Sequence, residues 1–70
     1  MMPLNLADPG QEYTILKVSG PAEVRQHLAD LGFVPGGTAT VINVLGGNVI
    51  IKVKESRVAL GEDLVRRIFV

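Results

Sequence analysis

His27 and Asp30 lie one helical turn apart in the sequence, and an imidazole beside a carboxylate is the start of a transition-metal site. A selective site needs more donors, and the chain has no second histidine and no cysteine. On an otherwise polar helix face the pair reads as a solvated surface histidine with an acidic neighbour, so no metal ligand is assigned. Glu62 and Asp63 are a second acidic pair. Adjacent residues on a helical turn point in different directions, and the positive end of a helix accounts for both acids. Ser19 and Ser56 fall in turn-like settings, with His27 as the only imidazole to serve either as base. A nucleophile, a base and a third orienting group do not come together, and the chain reads as a non-enzyme.

Gly32-Phe33-Val34-Pro35-Gly36-Gly37-Thr38 comes close to a phosphate-binding loop. It lacks the required lysine, and it follows a helical pattern where a strand is needed. A helix stop followed by a turn explains all three glycines: Gly32 closes a helix in the left-handed region, and Pro35-Gly36 presets a reversal. Lys52, Lys54, Arg57, Arg66 and Arg67 would form a basic strip if the last three strands were neighbours. Tyr13, Phe33 and Phe69 are the only aromatics, all better used in a core than for stacking bases. Seven acidic residues balance seven basic ones, so no net charge steers the chain toward nucleic acid.

The elements that must carry these residues are short. Leu4 to Leu6 is an apolar lead-in and Asp8-Pro9-Gly10 a turn. Tyr13 to Val18 reads as a first strand, with Ile15 and Val18 inward and a bulge or bend to reconcile their spacing. Gly20-Pro21 opens a helix over about residues 21–31, whose buried stripe is Val24, Leu28 and Leu31. Thr38 to Leu45 is a strand with Ala39 and Val41 inward, and Gly46-Gly47-Asn48 a tight hairpin connection. Val49 to Val53 returns with Val49, Ile51 and Val53 on one face, leaving Lys52, Lys54 and an exposed Ile50 on the other. After the reversal Lys54-Glu55-Ser56, Arg57 to Leu60 is another strand, Gly61 to Leu64 a single helical turn, and Ile68 to Val70 closes the sheet. Many short strands with tight turns give a mainly-β chain, a small SH3-like barrel with one inserted helix and a short helical turn near the C-terminus.

Seventy residues make one domain, 1–70, near the lower size limit for independent folding. With 47% hydrophobic residues, a chain this short must leave some aliphatic surface outside as a contact patch. The start lacks a basic region and a long apolar stretch, and charges interrupt every apolar run well before the roughly 20 residues of a spanning helix. The expectation is a soluble, cytoplasmic domain without direct membrane insertion, in a reducing compartment.

The run Leu28-x-x-Leu31-Gly32-Phe33-x-Pro35-Gly36, followed by Val58-Ala59-Leu60 and Ile68-Phe69-Val70, resembles the ferrous-iron transport protein A (FeoA) family from about Leu4 onward. It is similar also to the SH3-like domains at the C-termini of iron-dependent repressors. The resemblance implies a small cytoplasmic partner of a FeoB-type membrane iron transporter, acting at its G-protein domain and recruited through it to the inner face of the membrane. It also implies a module that needs no cofactor. The helix corner and the loop after it are the expected contact surface: Leu28, Leu31, Phe33, Val34, Pro35 and Gly36. The repressor resemblance implies the alternative of a metal-responsive regulatory domain. A further alternative is a self-associating adaptor, a homo-oligomer paired through Ile50 and Val70. The chain departs from the family in its loops: Gly46-Gly47 is short, Glu55-Ser56 replaces a glycine-containing turn, and Gly61 stands where a basic residue is common.

Overall fold

Thr38-Ala39-Thr40-Val41-Ile42 and Val49-Ile50-Ile51-Lys52-Val53 are the two densest β-branched stretches of the chain, and they become the two interior strands, where branched side chains pack well on a pleated surface. The computed structural model describes residues 1–70. A 3-10 turn at Leu4–Leu6 is followed by β1 (Glu12–Thr14), β2 (Lys17–Val18), α1 (Ala22–Asp30), β3 (Thr38–Leu45) and β4 (Asn48–Val53). Then come β5 (Ser56–Gly61), α2 (Glu62–Val65) and β6 (Ile68–Phe69). Strands β1-β3-β4-β5 form an antiparallel sheet in that order, and β2-β6 form a second sheet. Together they make a partly open, mainly-β barrel of SH3-like type.

Register is set by alternation. Ala39 pairs with Val53 and Val41 with Ile51, and all four side chains are buried on the inner face. A bulge at Ile42, between Val41 and Asn43, then shifts the pairing and bends the strand. Gly46-Gly47 connects β3 to β4 as a two-residue turn between the paired Leu45 and Asn48. On the outer face Glu12, Thr40, Lys52 and Arg57 stand in one cross-strand row.

The expected first strand is in fact two. The chain crosses between sheets at Ile15-Leu16: Tyr13 pairs with Ala39 in the large sheet, and Lys17 pairs with Phe69 in the small one. Ile15 is buried as expected, while Val18 is half-buried and Leu16 faces solvent. The ends of β6 also differ from expectation, because Ile68 pairs with Val18 and not with β5. The basic strip is divided accordingly. Lys52 and Arg57 are direct neighbours, whereas Arg67 lies over Gly20 at the entrance to α1. Val70 is buried, its N–H donating to the Met2 carbonyl at 2.9 Å and its carbonyl accepting from the Met2 N–H at 2.8 Å. Ile50 is half-buried. The apolar edge expected from those two residues is therefore closed at one and narrowed at the other.

Leu4, Ile15, Leu28, Phe33, Ile51 and Ile68 are the large side chains at the centre of the core, joined by Val65 from α2. No polar or charged side chain is buried. Stability thus rests on apolar burial, at about 25 cal/mol per Å² removed from water.

Candidate functional site

Helix α1 ends in a double hydrogen bond. Gly32 donates its N–H to the Ala29 carbonyl and Phe33 to the Leu28 carbonyl, each at 2.9 Å. With Gly32 at φ +109°, this is a Schellman closure, and it turns Phe33 back beneath the helix. Phe33 is only 1% exposed. Val34 to Gly37 then form a reversal in which the Gly37 N–H donates to the Val34 carbonyl at 3.0 Å. Pro35 takes its second position and Gly36, at φ +89°, its third, as a type II turn requires. Two more backbone bonds fix this turn to the bend of the first strands. Gly36 donates to the Ile15 carbonyl and Ile15 donates to the Gly37 carbonyl, both at 2.8 Å.

Between this loop and the outer side of α1 runs a groove of about 350 Å³. Phe33 contributes to its lining from beneath, with Val34 and Pro35 from the loop and Val18 from β2. The helix supplies Ala22, Arg25, Gln26 and Ala29. These four have the spacing i, i+3, i+4, i+7 of a single helix face. Alanine at both ends of that face keeps the groove open, where a longer side chain would fill it.

Of the six expected contact residues, Phe33, Val34 and Pro35 line the groove. Leu28 is entirely buried in the core, and Leu31 is half-buried and packed against it, so neither lines the groove. Gly36 is exposed on the turn but outside the lining. Sequence reasoning missed Val18 and the helical face Ala22, Arg25, Gln26, Ala29. Their signal was there: a second stripe beside Val24-Leu28-Leu31, made of small and polar residues that looked like an ordinary solvated face.

The other chemical candidates lie elsewhere. His27 is exposed, and Asp30 accepts a hydrogen bond from Gln26 Nε2 at 2.8 Å. Glu62 and Asp63 occupy the first turn of α2, both exposed. The Ser19 hydroxyl donates to the Arg67 carbonyl at 3.4 Å. No three His, Cys, Asp or Glu side chains gather in the geometry of a metal site. No helix is long and apolar enough to cross a membrane.

Fold and groove together define a small SH3-like domain that offers a shaped apolar surface beside one cationic side chain. The sequence profile of the FeoA domain matches residues 2–70, and the chain belongs to that family. It is 34% identical over 70 residues to a Methanocaldococcus jannaschii protein that carries the provisional name Fe(2+) transport protein A, covering all of this chain and 85% of that protein. The crystal structure of an iron uptake regulatory protein, FeoA, superposes with a TM-score of 0.86 at 33% identity, over 96% of this chain and 89% of that one. The solution structure of iron(II) transport protein A from Clostridium thermocellum gives a TM-score of 0.89 at 24% identity, over 97% of this chain and 43% of that one. The second likeness speaks to the fold.

Proposed function

We propose that this chain is a cytoplasmic protein-interaction module of ferrous-iron uptake, which docks on the G-protein domain of a FeoB-type membrane transporter and modulates it. Membership in the FeoA family supports the iron-transport context. The observation that carries the docking reading is the groove between α1 and the Phe33–Pro35 loop, a concave and mainly apolar surface on a rigid frame. Its loop wall is held by four backbone hydrogen bonds of 2.8 to 3.0 Å, so little ordering entropy opposes binding there. Docking would modulate transport by favouring whichever state of the transporter fits the groove better. The module carries no iron, binds no nucleic acid and catalyses no reaction. It reaches the membrane through its partner.

Titration calorimetry of the chain against the transporter's soluble cytoplasmic domain, with GDP and with a non-hydrolysable GTP analogue, tests this reading. Saturable binding is expected, weakened about tenfold or more by Ala29→Glu in the groove. Ala59→Glu, on an exposed position of β5, is the control and should bind as the unaltered chain does. Absence of binding in both nucleotide states, or equal weakening by the two substitutions, refutes it. A parallel titration with Mn²⁺ as a stand-in for Fe²⁺ should show no tight site.

A further inference from the structure

The groove is asymmetric in charge. Arg25 is the only charged side chain among its lining residues. It is exposed, and the side-chain hydrogen bonds of the chain, made by Tyr13, Ser19 and Gln26, leave its guanidinium free. Gln26, the other polar lining residue, already donates to Asp30. A second cation stands close by in the fold. The Arg67 guanidinium lies over Gly20, with Nη1 2.8 Å from where a Cβ would be, and Gly20 sits between two lining residues, Val18 and Ala22. No carboxylate lines the groove.

We propose that the groove receives a protruding protein segment in which an aliphatic or aromatic anchor has a carboxylate one or two residues away. The anchor packs against Ala29, Val34 and Pro35, above the buried Phe33, and the carboxylate pairs with Arg25. This rests on the docking reading above and names the chemistry of the partner. Size supports a segment: about 350 Å³ lies at the low end of ligand sites, enough for one or two side chains. Charge supports the acid. A guanidinium pressed against an apolar partner loses water, and a carboxylate satisfies it with two parallel hydrogen bonds. A neutral segment would leave that cation covered and unpaired. A basic segment would be repelled by both arginines.

The test uses the whole chain and its variants Arg25→Gln, Arg25→Lys and Arg25→Glu against the transporter's cytoplasmic domain, at about 50 mM and about 300 mM salt. Arg25 is exposed, so thermal melts should be unchanged in all three. Arg25→Gln is expected to weaken binding roughly tenfold and Arg25→Glu more, with Arg25→Lys recovering part of the loss. Salt should weaken the unaltered chain more than the Gln variant. Equal affinities across the series overturn the proposal while leaving docking itself intact.

If the cytoplasmic domain does not bind at all, the docking partner is wrong, and a peptide titration then judges the groove chemistry alone. The capped peptide Ser-Leu-Glu-Phe-Ser-Gly is added to ¹⁵N-labelled chain, and separately its counterpart with Gln in place of Glu. Shifts of the Ala29, Phe33 and Val34 amides, saturating at severalfold lower concentration for the Glu peptide, support the proposal. Equal titration, or none, overturns it. Sedimentation over a concentration range checks the remaining occupant, a second copy of the chain. The exposed Leu6 and Asp8 carry similar chemistry, and self-association abolished by both Leu6→Ser and Ala29→Glu would overturn the proposal in favour of that copy.

Discussion

Phe33 donates its backbone N–H to the Leu28 carbonyl at 2.9 Å, and both side chains lie fully within the core. With the Gly32 to Ala29 bond it closes the helix, and the hydrophobic contact that accompanies such closures places Phe33 beneath the groove. Gly32, between Leu31 and Phe33, makes the geometry available. At φ +109° a Cβ would meet Val53 Cγ2 at 3.2 Å and the Lys54 stem at 3.5 Å. Gly36 has φ +89° but open space around it.

Alanine at the two glycines should therefore separate backbone strain from crowding. Gly36→Ala is expected to cost about 1 kcal/mol, the price of an L-residue in the left-handed region. Gly32→Ala is expected to cost about 2 kcal/mol or more, since Val53 must also shift. Urea denaturation of both variants gives the comparison, and an equal loss would show that crowding at Val53 is relieved without cost.

Leu28 and Ala29 are adjacent in sequence and should respond in opposite ways. Leu28→Ala removes a wholly buried side chain and is expected to cost about 2–5 kcal/mol, a large share of what a domain of this size has. Ala29→Leu extends an apolar side chain into the groove over Phe33 and should leave the melting temperature unchanged or slightly raised. It should nonetheless abolish docking. Paired thermal melts and binding titrations distinguish these outcomes, and a docking loss in Leu28→Ala is interpretable only after its folded fraction is known.

What the sequence disclosed depends on how far each feature's cause extends along the chain. The helix stop at Gly32, the turn at Pro35-Gly36 and the hairpin at Gly46-Gly47 are dictated by residues within a few positions of one another, and each stands where those residues place it. The break of Tyr13–Val18 into two strands is not local. Gly36 and Gly37, more than 20 residues away, take the Ile15 backbone groups that a continuous strand would have given to a neighbour. Alternation showed only that Ile15 and Val18 were out of phase. Val70 is buried and tied by its backbone to Met2, from the other end of the chain. The groove was half legible for a similar reason. Phe33, Val34 and Pro35 stood out by their types, but the opposing wall consists of alanines and polar residues that acquire meaning only when the loop folds against them.

The pairing of Met2 with Val70 is the contact that joins the two ends of the chain, and it should be measurable through the backbone alone. Met2→Pro removes the N–H that donates to the Val70 carbonyl at 2.8 Å. The expected loss is about 1 kcal/mol, with faster amide exchange at Val70 and unchanged exchange at Ile51 in the main sheet. Uniformly faster exchange would mean that the ends unfold with the whole domain and not ahead of it.

The outer face of the main sheet carries a repulsion that nothing else in its row relieves. Lys52 on β4 stands directly opposite Arg57 on β5, and both side chains are exposed. Like charges directly opposed across an antiparallel pair are destabilising. Glu12, the one acid in the row, is two strands from Lys52, with Thr40 between them. Arg57→Glu turns this repulsion into an attraction and is expected to stabilise the domain by about 0.2–1 kcal/mol. Lys52→Glu should do the same from the other strand, whereas the double variant sets two glutamates opposite each other and should lose the gain of either single change. All of these gains must shrink as salt rises from low concentration, because both groups are solvated and screened. Urea midpoints at two ionic strengths provide the measurement. A gain that persists at high salt would point instead to the altered strand propensity of residue 57 itself.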